Sequence, residues 1–154
     1  MNADSLFNFG RKTPEKESTI QTPVLSLNNA RKFLADARGC LNVRDGCEFV
    51  NGIRAAFMPL SDCVSNKTGK VLEYGDTLRA YARLTRDKPE ARLAPLVELA
   101  SKMRYASACG VRFIVAELIL AYGFAGVNPG GSLMELTRLA NEAVDILEIG
   151  SKFG

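Results

Sequence analysis

The stretch from Tyr105 to Ala125 is apolar around the whole circumference of a helix, and only two charged residues, Arg112 and Glu117, interrupt it. A helix with this pattern has no polar side to turn towards water, so it does not lie on a protein surface. It forms either the buried centre of a helical bundle or a membrane span. This choice constrains the fold more than any other feature of the chain.

The two charges favour the centre of a bundle. A span needs about 20 apolar residues, and an arginine or aspartate near its middle costs roughly 2.5–3.5 kcal/mol. Arg112 and Glu117 point about 140° away from each other around a helix, so they cannot easily pair. The neighbouring segments are amphipathic and need an apolar partner. The sequence therefore predicts an all-α fold, a single bundle of five or six helices around a buried helix over about 109–125, without insertion into a membrane.

Apolar residues at helical spacing, separated by capping residues, glycine and proline, predict further helices on both sides of this segment. Met58 should end one of them, since Pro59 follows it. Ser132 and Glu135 predict a capping box at the start of another. Whether the helix before residue 109 continues into the central one stays open. The predicted segments are about 27–38, about 44–58 with Val43, Cys47, Val50, Ile53 and Phe57 on its buried face, about 71–86, a helix from about 89, and a helix from 132 to a stop at 150.

Residues 1–24 form a polar, charged segment without periodicity, and glycine and proline punctuate it. This composition predicts a flexible N-terminal arm, followed by a helical domain over residues 25–154. Two aromatic residues, Phe7 and Phe9, interrupt the polarity of the arm. They suggest an alternative, in which a short anchor binds a partner and becomes ordered there.

The chain contains no histidine. Histidine is the commonest general base and metal ligand, so Ser-His-Asp and Cys-His catalytic arrangements are excluded, and a zinc site would need cysteines and carboxylates alone. Four cysteines without a C-x-x-C pair, and no apolar run of signal-peptide length at the start, predict free thiols in the reducing cytoplasm. We therefore expect a cytoplasmic protein that is not an enzyme and binds no cofactor and no metal.

A set of basic residues is the main candidate binding site. Arg79, Arg83 and Arg86 recur at i, i+4 and i+7 of one predicted helix. Lys102 and Arg104 follow further along the chain. Arginine binds carboxylates and phosphates in bidentate fashion, so this stripe could meet an acidic protein or a nucleic-acid backbone. The simpler interpretation is a solvated helix face, because acidic residues are interspersed among the basic ones.

Two function classes remain. The leading prediction is a non-enzymatic cytoplasmic interaction module, such as a small subunit, adaptor or inhibitor of a larger complex. It would bind an acidic protein through the basic stripe and an apolar helix surface. The alternative is a helical nucleic-acid-binding protein that contacts phosphates through the same arginines. The segment LVELASKMRYASA, residues 96–108, resembles a helix in the small helical subunits of CRISPR effector complexes, which adds slight weight to this alternative.

Glu117 is the residue of the central helix that most needs an explanation. A carboxylate on a buried helix requires a partner or has a raised pKa, so we expect an ion pair with an arginine of another helix, or a position at an interface or cavity. One side of the same helix carries Phe113, Leu120 and Phe124. A side that the bundle leaves uncovered would form an interface with a partner or with a second copy of the chain.

Overall fold

In the computed structural model, which describes residues 24–153, the chain forms six helices and no strand. The predicted all-α bundle is therefore confirmed. The predicted N-terminal arm, apart from residue 24, lies outside the described residues together with Phe7 and Phe9, and it stays a prediction. The helices are α1 Leu27–Gly39, α2 Val43–Thr68, α3 Tyr74–Leu84, α4 Pro89–Ser101, α5 Tyr105–Phe124 and α6 Leu133–Ser151.

The central element is α5, which packs against each of the other five helices. Its apolar side chains are buried on several sides, as its composition predicts; Phe113, Ile114 and Leu118 are completely inaccessible. By length and composition α5 could also cross a membrane, but 67% of its most apolar 18-residue window is buried inside the bundle. A short break over residues 102–104 separates α4 from α5, so the two helices are not continuous.

The closest helix packing in the core is the crossing of α2 and α5. A Cβ atom on Gly52 would overlap the Ser107 carbonyl oxygen, and a Cβ atom on Gly110 would overlap the Phe49 carbonyl oxygen. Two glycines on facing helices thus let the backbones touch. Beside the crossing, the rings of Phe49 and Phe113 meet edge to face with centroids 5.5 Å apart. Gly110 therefore serves close packing within a continuous helix.

The prediction that helix α2 ends at Met58 is wrong, because α2 continues through Pro59 to Thr68. An interior proline costs about 3 kcal/mol. Beyond it, however, Leu60 and Val64 are only 2% and 1% exposed. Burying each such side chain contributes about 1.5–3 kcal/mol, which offsets the proline. The segment therefore stays helical until Gly69, whose φ of 74° suits a left-handed cap.

The buried face predicted for α2 is correct only in part: Val50 and Phe57 are half-buried and pack against the core. Val43 is 75% exposed and Cys47 is exposed, although Ile53 is buried as predicted. The glycine contact with α5 requires Gly52 to face inward, which rotates the apolar positions chosen from the sequence away from the core. The residues that α2 buries are Gly46, Phe49, Gly52, Ile53, Ala56, Leu60 and Val64.

The remaining differences lie at helix ends. Helix α3 covers Tyr74–Leu84 and is shorter at both ends than the predicted segment 71–86. Its end is fixed by Thr85, a buried residue whose hydroxyl donates to the Tyr81 carbonyl at 2.7 Å. At the start of α6 the Ser132 hydroxyl accepts from the backbone N–H of Glu135 at 3.1 Å, so the predicted cap residue is confirmed.

The reciprocal half of the predicted capping box is not formed. The carboxylate of Glu135 accepts instead from Arg31 at 2.6 Å and from Arg138 at 2.8 Å, and these contacts lower its pKa to about 2. The interaction with Arg31 ties the start of α6 to α1 on the surface. At the other end, α6 passes through Gly150 and stops one residue later.

Candidate functional site

One strip of the central helix is only partly covered by the bundle. Helices α3 and α6 lie on either side of it and leave a hollow of about 190 Å³ between them. The strip consists of residues at i, i+3, i+4 and i+7, which share one helix face. We call this hollow the α5 groove. Its floor is formed by Glu117, Leu120, Ala121 and Phe124, its α3 wall by Gly75, Leu78 and Arg79, and its α6 wall by Ala140 and Val144.

The groove exposes apolar surface that a helix interior would normally hide. Phe124 is 49% exposed at one end of the floor, and Val144 is 48% exposed on the α6 wall. Leu120, only 3% exposed, closes the floor between them. Contiguous apolar surface of this kind, bordered by charged residues, marks interaction sites more often than isolated exposed side chains do.

Glu117 brings a carboxylate into this apolar floor. The Tyr74 hydroxyl donates a hydrogen bond to Glu117 Oε1 at 2.5 Å, and the Tyr74 ring stacks on Phe57 with centroids 5.2 Å apart. Burial raises the pKa of Glu117 to about 7, and the hydrogen bond from Tyr74 partly opposes this rise. Burial and the neighbouring Glu117 also raise the pKa of Tyr74 well above its ordinary value.

The expectation that Glu117 pairs with an arginine is wrong, because its hydrogen-bond partner is Tyr74 of α3. The alternative expectation, a position at a cavity, describes the structure correctly. An ionised carboxylate in apolar surroundings lacks its usual hydration, so it favours any incoming hydrogen-bond donor or cation. The groove thus combines an apolar contact surface with one acceptor that fixes the position of a bound group.

The three arginines of the predicted stripe do not share one helix. Arg79 lines the groove and pairs with Asp76 at 2.5 Å. Arg83 lies exposed one turn further along α3. Arg86 falls two residues beyond the end of α3 and borders a separate hollow with the loop after α5. The stripe is therefore limited to two residues, because α3 is shorter than the sequence suggests.

The other predicted basic residues lie away from the groove. Lys102 follows α4 and sits 3.9 Å from Glu98, an exposed pair. Arg104 precedes α5 and borders a different hollow, beside Arg44 and Tyr105. Of the predicted site residues that the structure describes, only Arg79 therefore belongs to the α5 groove. Phe7 and Phe9 are outside the described residues, so the structure does not place them.

The charges around the groove differ between its two walls. The α3 wall carries Arg79 and, one turn on, Arg83. Next to Val144 on α6, the exposed residues Asp145 and Glu148 are acidic. Within residues 24–153, no three cysteine, aspartate or glutamate side chains are grouped so that they could hold a metal ion.

Comparison with models of known protein families, with curated protein sequences and with solved structures finds no match to this chain. The function is therefore inferred from the geometry of the groove and the chemistry of its walls.

Proposed function

We propose that the chain is a non-enzymatic interaction module that binds an amphipathic helix of a partner protein in the α5 groove. The observation that carries this proposal is the partly covered strip of α5, where Leu120, Ala121 and Phe124 form an apolar floor between two helical walls. In a complex of this kind the chain serves as a small subunit, adaptor or inhibitor in the cytoplasm, as the sequence predicts.

A helix is the occupant whose shape fits this groove. The floor repeats at helical spacing, and the two walls are themselves helices that pack on α5. A bound helix would present apolar residues at i, i+3, i+4 and i+7, the pattern that recurs where a helix lies in a groove. Phe124 would supply most of the buried area, because aromatic residues dominate the energetics of such interfaces.

The charges on the walls support a particular partner. Arg83, one turn beyond the Arg79–Asp76 pair, favours acidic residues along the edge of the bound helix that faces α3. Glu117 favours a hydrogen-bond donor, such as a lysine or an amide, in the middle of its apolar face. These charges would set the orientation of the helix and the rate of encounter, while the apolar floor would supply affinity.

The proposal is tested by photo-crosslinking in extracts of the native cell. A photoreactive side chain at position 144 is expected to capture a partner through an acidic amphipathic helix. The matched control is position 134 on the same helix, where Met134 is 82% exposed and does not line the groove. With the captured helix as a peptide, Phe124→Ser should weaken binding at least about tenfold, and Met134→Ser should leave it unchanged. Equal crosslinking from both positions would contradict the proposal.

The alternative, nucleic-acid binding through the basic residues, predicts a different response to salt. If RNA or DNA binds, the logarithm of the affinity should fall linearly with the logarithm of the salt concentration. Replacing Arg79 or Arg83 with glutamine should then reduce the slope by about one for each phosphate contact removed. Binding of this kind, unaffected by Phe124→Ser, would favour the alternative over the helix-binding module.

A further inference from the structure

A second hollow lies between α2, α3 and α4, and it shares no lining residue with the α5 groove. Its volume is about 500 Å³. Binding sites for small molecules have volumes of about 300–1,000 Å³ and are mostly apolar, with a few polar groups that orient the ligand. We call this the proline hollow, because the rings of Pro59 and Pro95 both border it. The remaining lining residues are Leu60, Cys63, Tyr81, Ala91, Arg92, Leu96 and Leu99.

The two prolines are unusual because both lie inside helices. Pro59 is within α2 and Pro95 is within α4. Each removes one backbone hydrogen bond, at a cost of about 3 kcal/mol. Neither ring is buried in the core, so packing of the ring does not offset that cost. In α2 the burial of Leu60 and Val64 offsets that cost, and the exposed ring of Pro59 borders the hollow.

The floor of the hollow is apolar and its polar groups are grouped at one edge. Leu60 and Leu96 are 2% and 6% exposed, and they form a closed apolar surface. The Tyr81 side chain is 6% exposed, and Tyr81 and Arg92 both line the hollow. Burial raises the pKa of Tyr81, while the positive charge of Arg92 opposes this rise. Both hydroxyl and guanidinium are therefore available as hydrogen-bond donors at neutral pH.

Arg92 is the only charged residue that lines this hollow in the described part of the chain. Within residues 24–153, no carboxylate lies within 4.0 Å of its guanidinium. A guanidinium that has no carboxylate partner among the described residues, at the rim of an apolar hollow, is complementary to an anion that carries an apolar tail. Arginine binds carboxylates through two parallel hydrogen bonds, and the Tyr81 hydroxyl can add a third.

We propose that the proline hollow binds a small amphipathic carboxylate, with the carboxylate on Arg92 and Tyr81 and an aliphatic chain on Leu60 and Leu96. This site is separate from the α5 groove and does not depend on the proposed partner. A medium-chain carboxylate such as decanoate represents the ligand class. Cys63 borders the hollow, so a bound chain would cover its thiol.

Two cysteines of the chain, Cys63 and Cys47, serve as the probe and the control for this site. Cys63 is partly accessible in the hollow, whereas Cys47 is exposed on a different surface, and Cys40 and Cys109 are buried. The full chain is alkylated in the presence of decanoate below its micellar concentration, and modification of each cysteine is followed by peptide mass spectrometry. At a decanoate concentration about ten times Kd, alkylation of Cys63 should slow about tenfold. Alkylation of Cys47 should not change.

Three matched comparisons identify the contacts. Arg92→Gln should raise the Kd for decanoate, measured from the protection of Cys63, at least about tenfold, because it removes a charge-assisted pair. Arg83→Gln, an exposed change on α3 away from the hollow, should leave protection unchanged. Ala91→Leu should abolish it by filling the hollow; Ala91 is exposed, so this variant is expected to fold. Decanol, which has the same chain without the charge, should protect at least about tenfold less well.

Each of the following results would overturn the proposal. One is that decanoate leaves Cys63 unprotected; another is that it slows the alkylation of Cys63 and Cys47 equally, which would show non-specific binding. Equal protection by decanol and decanoate, or by wild type and Arg92→Gln, would show that the carboxylate is not recognised. If a protein captured from the α5 groove covers Cys63 while decanoate does not, the hollow is a protein contact instead.

Discussion

Replacement of Glu117 by glutamine tests the electrostatics of the α5 groove directly. The pKa of this carboxyl is 4.5 in its ordinary state and about 7 in the folded protein, chiefly because of burial. Its contribution to stability is therefore fully present below pH 4.5 and is lost as the pH rises through 7. The difference between the two pKa values corresponds to about 3 kcal/mol of folding free energy between these limits.

Glutamine is neutral at every pH and keeps an oxygen that can accept the hydrogen bond from Tyr74. We expect the free energy of unfolding of Glu117→Gln, relative to wild type, to be higher at about pH 8 than at about pH 5 by about 2–3 kcal/mol. Urea denaturation at the two pH values, followed by circular dichroism, measures this difference. The matched control is Glu148→Gln on the exposed face of α6, which removes a carboxylate that the fold does not bury; an equal effect of the two variants would contradict the reasoning.

Two outcomes would refute this account of Glu117. If the stability difference between Glu117→Gln and wild type were the same at both pH values, the carboxyl would not be desolvated in the folded protein. If the variant were relatively less stable at the higher pH, the ionised carboxylate would have a favourable partner that a neutral side chain cannot replace. In either case Glu117 would not be the poorly hydrated carboxylate that accepts a hydrogen bond in the proposed binding mode.

Three further predictions concern stability. Gly110→Ala should destabilise the protein by about 3 kcal/mol in urea denaturation, because the added methyl group meets the α2 backbone; Gly39→Ala, which meets no atom, is the control, and equal effects would contradict the packing. Pro59→Ala should raise the free energy of unfolding by about 2 kcal/mol, since the α2 hydrogen-bond ladder is completed; an unchanged value would mean that the proline imposes no strain. Ser132→Ala should lower it by about 1 kcal/mol through loss of the cap on α6, whereas Ser132→Asp should not.

The sequence is sufficient to predict the parts of the fold that depend on local chemistry. The composition of α5 requires burial over most of its circumference, and amphipathic neighbouring helices provide it in water. The start of α6 follows from Ser132, whose hydroxyl satisfies a backbone N–H that has no partner within the helix. Both features depend on residues close together along the chain, so no knowledge of the tertiary structure is required.

The errors occur where tertiary packing overrides local preference. Pro59 locally favours the end of a helix. The free energy gained by burying the side chains after it, such as Leu60, offsets the cost of a proline inside the helix. The rotation of α2 follows from Gly52, because the absence of a side chain there lets the α2 backbone contact α5. Apolar periodicity in the sequence does not reveal such a position. The early end of α3 similarly depends on the buried hydroxyl of Thr85, which pairs with Tyr122 far along the chain.

The candidate site could be predicted only in part. The sequence identifies Glu117 as a residue that needs a partner, and it places Leu120 and Phe124 on one side of the central helix. It does not indicate which side the bundle leaves open, and Phe113, which was grouped with them, is completely buried. The opening is set by the separation of α3 and α6 on α5, a property of the assembled bundle.

The glycine crossing of α2 and α5 also determines how the molecule should respond to heat. These two helices share the most extensive contact in the bundle, whereas α3 and α6 contact α5 much less. Amide hydrogens at the crossing should therefore exchange with solvent last, and those of the two walls should exchange earlier. On warming, α3 and α6 should therefore separate from α5 before the crossing of α2 and α5 opens. A helix bound in the groove would then stabilise the protein mainly by holding α3 and α6 against α5.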